Sequence, residues 1–177
     1  VVAHLVKAES DPTLRAGRHG KGKTALDIAF EKNIDVWKHL RYYMDDMLLG
    51  NAVKFGNVDA IEKLMAAGAN PENYLGSGPA VVRAARYGQT EAVQTLLRLG
   101  CNRNALDPDG MTALIVAAER GDEGMVDVLV KAGANPALHA TAAPWENKTA
   151  LQIAESKKHD GVVALLQKAT AAASASK

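Results

Sequence analysis

Cysteine, aromatic residues and excess charge are all scarce in this chain of 177 residues, and each scarcity removes a class of protein. The one cysteine, Cys101, permits no intramolecular disulfide and no multi-cysteine zinc cage, and it suits a reducing intracellular compartment, the cytoplasm first. Lys plus Arg number 21 and Asp plus Glu 20, a formal charge of +1, so no global field argues for wrapping nucleic acid or lying on anionic lipid. No run approaches the ~18 consecutive apolar residues that suggest a membrane-spanning helix. The N-terminal VVAHLVKAESDP turns polar after a few residues, without a signal-peptide layout. What is present, 47% hydrophobic and 23% charged residues, is the composition of a folded chain with a sizeable apolar core.

The dominant feature is self-similarity at a fixed period. The segment from Asp109, DGMTALIVAAERGDEGMVDVLVKAGANPA, repeats the landmarks of the one from Gly78, GPAVVRAARYGQTEAVQTLLRLGCNRNA. Gly88 to Gly121, Gly100 to Gly133 and Ala84 to Ala117 are each 33 residues apart, and Gly56 to Gly88 and Gly68 to Gly100 are each 32. Such a period decides the architecture before any detailed secondary-structure assignment.

Within one period the apolar residues have helical spacing. Leu114, Ala117 and Ala118 mark a first short helix, and Met125, Val126, Leu129 and Val130 a second. Gly121 separates the two, and Gly133 supplies the left-handed residue that ends the second helix, since Ala134-Asn135-Pro136 cannot continue it. Alanines 117 and 118 let neighbouring helices approach closely. A lone unit of helix, turn, helix and loop leaves apolar faces bare, whereas a stack buries them.

With the residues D-G-x-T-x-L-x-x-A-A-x-x-G and V-x-x-L-x-x-x-G-A-N in view, the chain resembles the ankyrin repeat family. Further copies run from Leu48 (LLGNAVKFGNVDAIEKLMAAGANPE), from Thr149 (TALQIAESKKHDGVVALLQKA) and, shortened, from Lys23 (KTALDIAFEKNIDVWKHL). The resemblance implies an all-α solenoid of about five helical pairs. Residues 1–21 form the end of an incomplete repeat and a long basic finger; copies lie near 22–45, 46–77, 78–108, 109–147 and 148–168; and 169–177 are a low-complexity Ala/Ser tail, a frayed helix end or disordered. Val1–Lys7 align with the second helix of a copy. The expectation is therefore a piece of a longer protein, with a T-x-L-x-x-A segment upstream.

Departures from the family pattern are specific. Its Thr-Pro-Leu-His becomes Thr24-Ala-Leu-Asp27, Thr112-Ala-Leu-Ile115 and Thr149-Ala-Leu-Gln152, so these repeats are expected to be less well tied. Ala29 to Ala52 is only 23 residues, which removes one finger around Tyr42-Tyr43-Met44-Asp45. Ala117 to Ala154 is 37, so the loop LHATAAPWENK, like TLRAGRHGKG, should project furthest.

Other motifs yield to simpler explanations. GRHGKGKT at Gly17–Thr24 fits the phosphate-cradling pattern G-x-x-x-x-G-K-S/T, yet no buried strand precedes it, and Gly22-Lys23-Thr24 opens a repeat copy, so it reads as a solvated basic finger. His4, His19, His39, His139 and His159 lack the spacing of metal ligands, and no cofactor is implied. Cys101 stands where Ala69 and Ala134 stand in other copies and reads as inert packing. In Asn147-Lys148-Thr149, a glycosylation sequon, the threonine is needed to begin a helix.

No catalytic constellation stands apart from the repeat, so the chain reads as a binder and not an enzyme. The resemblance places partner contacts on the concave face, at the exposed ends of the first helices and on the fingers. Transferred copy by copy, these are Lys54-Phe55, Arg86-Tyr87 and Glu119-Arg120, with Glu31-Lys32 and Ser156-Lys157 in the outer copies, and the finger residues Lys21, Lys23, Asp109, Met111, Trp145, Glu146 and Lys148. The expected partner is a protein or peptide with an acidic segment and an apolar anchor, with neither nucleic acid nor membrane insertion. Two other functions stay open: a structural accessory subunit of a large assembly, with its convex side, edges and long fingers all covered, or the regulatory or targeting part of an enzyme whose catalytic domain lies outside this sequence.

Overall fold

The computed structural model describes residues 47–72 and 78–175, all within the compact unit Asp46–Lys177. Eight helices are seen there: α1 over residues 47–54, α2 Val58–Ala66, α3 Ala80–Arg86, α4 Thr90–Arg98, α5 Ala113–Arg120, α6 Glu123–Lys131, α7 Ala150–Lys157 and α8 Asp160–Ala175. They form four helix-turn-helix pairs, α1–α2, α3–α4, α5–α6 and α7–α8. The expected copy at 22–45, the basic finger and the Gly17–Thr24 motif, with Lys21 and Lys23, lie outside the described residues.

Local chemistry explains where each helix starts and stops. Thr112 caps α5 by accepting from the Ile115 N–H at 3.2 Å. Thr149 and Gln152 form a reciprocal capping box at the start of α7, so the missing prolines leave these helix starts secured. Asn57 and Asp122 cap α2 and α6 by accepting from the Ala60 and Met125 N–H groups. Gly88 and Gly121 turn the chain between helices at φ 72° and 73°, and in the last copy Lys158 adopts that left-handed conformation at φ 60° without being glycine.

The G-A-N signature after α2 and α6, Gly-Cys-Asn after α4, has a separate cause for each residue. Gly68, Gly100 and Gly133 take φ of 91°, 90° and 79°. The next residue, Ala69, Cys101 or Ala134, is 6–8% exposed and donates its N–H back to Leu64, Leu96 or Leu129 at 2.9–3.0 Å, which closes a Schellman turn. The asparagine oxygen of Asn70, Asn102 or Asn135 then accepts the N–H two residues on, at 3.0 Å each time.

Two layers result. The first helices pack side by side, α3 on α5 and α5 on α7, while the second helices α2, α4, α6 and α8 form the other layer. Residues Ala113 through Ala118 of α5 are all buried, because a first helix has neighbours on both sides and a second helix behind it. Second helices bury one stripe only, such as Met125, Val126 and Leu129 of α6. This stacking builds one continuous core from units that could not cover their own apolar faces.

One element differs from the expectation. The loop 138–148 does not stand away from the body. Ala140 is fully buried, donates to the Lys148 carbonyl at 3.0 Å and accepts from the Asn147 N–H at 2.9 Å, which folds the loop into a closed hairpin. The alanine-rich tail continues α8 as far as Ala175, as its helix propensity favours. Among the described residues no helix is long and apolar enough to cross a membrane.

Candidate protein-binding face

Each first helix ends in the same way, so the residues just before the left-handed turn recur along one edge of the first-helix layer. Lys54 and Phe55, then Arg86 and Tyr87, then Glu119 and Arg120 fall there in successive repeats. Phe55 is 73% exposed and Tyr87 46%, high values for large aromatic side chains. Lys54 Nζ lies 5.5 Å from the Phe55 ring centroid and 5.9 Å from that of Tyr87, so one ammonium joins the two rings.

Arg86 is held from below. Its Nε donates to Asp107 Oδ2 at 3.2 Å, its Nη2 donates to the same oxygen, and Nη2 also reaches Asp109 Oδ2 at 3.1 Å. Burial acts to lower the Arg86 pKa, but the hydrogen bond and charge of Asp107, with Asp109 and Glu119 behind them, raise it overall. Asp107 itself is 2% exposed at its side chain and accepts from the Asp109 and Met111 N–H groups at 3.0 and 2.8 Å. Nothing in the repeat pattern singled out Asp107. Its signal was the turn sequence Asp107-Pro-Asp-Gly110, where an aspartate at the first position accepts from the backbone it bends.

That same turn corrects one expectation. Met111 belongs to the core, at 5% exposure, and not to the solvent-facing part of the finger. With its N–H on Asp107 Oδ1 and its carbonyl accepting from the Asp107 N–H at 3.1 Å, its backbone is curled inward at the base of the finger. Asp109, 68% exposed at its side chain, is the finger residue that faces solvent.

The third group is self-contained. Trp145 Nε1 donates to Glu119 Oε1 at 3.0 Å, Lys157 Nζ sits 3.5 Å from that oxygen, and the Lys157 ammonium lies 5.6 Å from the Trp145 ring centroid. Trp145 is packed against the core. Arg120 donates from Nη1 to the Arg86 carbonyl at 2.9 Å. Glu146 and Lys148 remain exposed on the hairpin, beside Trp145 in sequence. The structure thus gathers Lys54, Phe55, Arg86, Tyr87 and Asp109 toward one end of the edge, and Glu119, Trp145 and Lys157 toward the other.

Other chemistry is sparse. Burial, with the Glu72 charge adding, pushes the Cys101 thiol from 9.0 up to about 11, which keeps it protonated at neutral pH. Among the described residues no group of three or more His, Cys, Asp or Glu side chains could hold a metal ion. The Thr149 hydroxyl of the sequon is engaged as a helix cap.

Comparison with known proteins agrees with this geometry. Residues 49–140 and 81–174 match the family model described as ankyrin repeats in three copies. A probable E3 ubiquitin-protein ligase of Oryza sativa subsp. japonica is 36% identical over 124 residues, covering 68% of this chain and 23% of that protein. An L-asparaginase of Dirofilaria immitis is 35% identical over 99 residues, 55% of this chain and 17% of that protein. Cyclin-dependent kinase 4 inhibitor B of Bos taurus is 30% identical over 127 residues, 69% of this chain and 91% of the inhibitor. The match therefore spans about a fifth of the first two relatives and nearly the whole of the third.

Proposed function

The chain belongs to the ankyrin repeat family, and on that premise we propose that it is a non-catalytic module holding a protein or peptide on the concave face of its solenoid. Ankyrin repeats are protein-interaction modules. The observation that carries the concave face is the pair Phe55 and Tyr87, exposed at equivalent positions of adjacent repeats and joined by Lys54. Large aromatic side chains left in water are expensive unless they are covered part of the time, and aromatic and arginine residues dominate measured binding energies. Arg86, Asp109, Glu119, Arg120, Glu146 and Lys148 make the charged surround, with Trp145 among them. Its basic members speed encounter with an acidic partner segment, and the aromatics hold an apolar anchor. The bovine relative that shares almost its entire length with this chain is named for inhibiting a kinase, an action on another protein.

The test is capture of bound proteins by pull-down and mass spectrometry, followed by binding kinetics of variants. Tyr87→Ala should raise the partner's off-rate roughly tenfold or more, and Lys54→Ala should slow association at low salt. Loss of affinity from Gln94→Ala or Asp127→Ala on the second helices, with Tyr87→Ala silent, moves the interface to the opposite face.

A second reading is favoured by a groove on that opposite face. About 380 Å³ in volume, it is lined by Leu97, Arg98, Cys101, Arg103 and Val128 among others, as an accessory subunit covered on both faces would need. A third is favoured by the much longer enzymes among the relatives: the array would then be the regulatory or targeting part of such a chain.

A further inference from the structure

We propose that the partner is anchored at the Lys54, Phe55 and Tyr87 end of the face, by a large apolar side chain with an acidic residue beside it in an extended peptide segment. This rests on the concave-face reading and narrows it to one place and one chemistry.

The charges on the face are unequal in what they have left to offer. Arg86 is engaged by Asp107 and Asp109, and Arg120 by the Arg86 carbonyl. Lys157 pairs with Glu119, which also takes the Trp145 N–H, and the Trp145 ring lies against the Lys157 ammonium and the core. A ligand arriving at any of these meets a charge already neutralised or partly committed, so less of what it gains is net.

Lys54 differs. Among the described residues its ammonium contacts the two rings, with no carboxylate in ion-pair reach. Those rings are also the most exposed aromatics on the face. An apolar side chain laid against Phe55 and Tyr87 excludes water from the ammonium between them. The lower local dielectric then strengthens the pairing of that ammonium with an acid from the same ligand. The two contacts reinforce each other only if the acid and the apolar group are neighbours in the ligand. A lysine or arginine beside the anchor would instead bring like charge to Lys54.

The probe is a set of immobilised synthetic peptides in which a central Phe, Trp or Leu is flanked by Asp and Glu, by Ser, or by Lys, read with the whole chain in solution. Acid-flanked peptides should bind roughly tenfold or more tighter than Lys-flanked ones. Lys54→Gln should abolish that discrimination, while Phe55→Ala and Tyr87→Ala weaken all peptides roughly tenfold and Gln94→Ala, on the opposite face, leaves them unchanged. Circular dichroism confirms the fold of each variant, which exposed positions should preserve. The proposal is overturned by no binding, by no preference for acid, or by a preference that survives Lys54→Gln. If Arg120→Ala or Trp145→Ala abolishes binding while Phe55→Ala and Tyr87→Ala do not, the concave face stands and this anchor falls. If only Gln94→Ala or Asp127→Ala matters, both fall.

Discussion

The imidazole Nε2 of His159 lies 3.2 Å from the carbonyl oxygen of Glu119, 40 residues earlier in the chain. Two further contacts repeat it along the stack: Arg120 Nη1 donates to the Arg86 carbonyl at 2.9 Å, and Gln89 Nε2 to the Lys54 carbonyl at 3.1 Å. Every acceptor is two residues before a mid-repeat glycine, so the next repeat reaches across that glycine to satisfy a carbonyl left open at a helix end. The glycines are needed for this contact as well as for their φ. A Cβ on Gly88 would meet Arg120 Nη2 at 2.8 Å, and one on Gly121 would meet His159 Nδ1 at 2.8 Å.

Gly88→Ala and Gly121→Ala should therefore cost more than Gly100→Ala, whose Cβ meets nothing within 4 Å. All three incur the left-handed penalty of about 1–2 kcal/mol. Only the first two also push the neighbouring repeat's side chain off its carbonyl. Urea midpoints should show the larger loss, and hydrogen exchange should place it in the repeats on either side of the substitution rather than across the array. Equal losses for Gly88→Ala and Gly100→Ala would show that the cross-repeat contact is energetically silent.

Asp107 should matter more to stability than its partner Arg86. Asp107→Ala removes the acceptor for two backbone N–H groups and leaves the Arg86 guanidinium with only exposed Asp109, for an expected loss of about 3 kcal/mol. Arg86→Ala leaves Asp107 still bonded to both N–H groups, and the arginine is 40% exposed, so about 1–2 kcal/mol is expected. Denaturant unfolding of both single variants and the double variant measures the coupling. A larger loss from Arg86→Ala would contradict this order.

What the sequence made legible follows from what repeats. Gly68, Gly100 and Gly133 recur because each needs a left-handed φ, and Cys101 could be read as packing because Ala69 and Ala134 occupy the same small buried site. Features made once leave no periodic trace. Asp107 works through a single turn, and Met111 was read by its column as a finger residue when the turn draws it into the core. The extra residues before Thr149 suggested a projecting loop, but burial of Ala140, which repeats the buried position of Asp107, and the Trp145 to Glu119 hydrogen bond fold it down, and that hydrogen bond has no counterpart in another copy. Lys157, paired with Glu119 near the end of α7, was legible only as an outer-copy position, since its partner lies one repeat away.

Cys101 supplies a pH test. With its folded pKa near 11 and an ordinary value of 9.0, the unfolded chain loses the thiol proton first as pH rises. Between those values the folded state binds more protons, so this group's contribution to stability is full below the lower value and declines as pH climbs toward the upper. Cys101→Ala should flatten that alkaline decline at little cost at neutral pH, since alanine already fills the site in two other copies. At pH 8 iodoacetamide should alkylate the folded protein roughly 100-fold more slowly than the urea-unfolded chain, from the thiolate fraction alone. Comparable rates would mean that the thiol is neither buried nor shifted.

The hairpin is pinned by Glu119, and removing that carboxylate should release Trp145 without unfolding the array. Glu119→Ala deletes the acceptor of the indole N–H and the partner of Lys157 together, so the ring loses both the bond that positions it and the cation held against it. Glu119→Gln keeps an acceptor oxygen but not the charge, which separates the two roles. In a Trp37→Phe background, where Trp145 is the sole tryptophan, Glu119→Ala should shift emission to longer wavelength and raise quenching by acrylamide, as the ring moves into water. Glu119→Gln should change both much less. The stability loss should be about 1 kcal/mol for Glu119→Ala, the scale of one hydrogen bond with a partly exposed ion pair beside it. Hydrogen exchange should speed at the Ala140 and Asn147 amides, whose bonds close the hairpin, before it speeds in α5 or α6. Unchanged emission in Glu119→Ala would show that packing against the core alone holds the ring, and that the hydrogen bond is incidental to it.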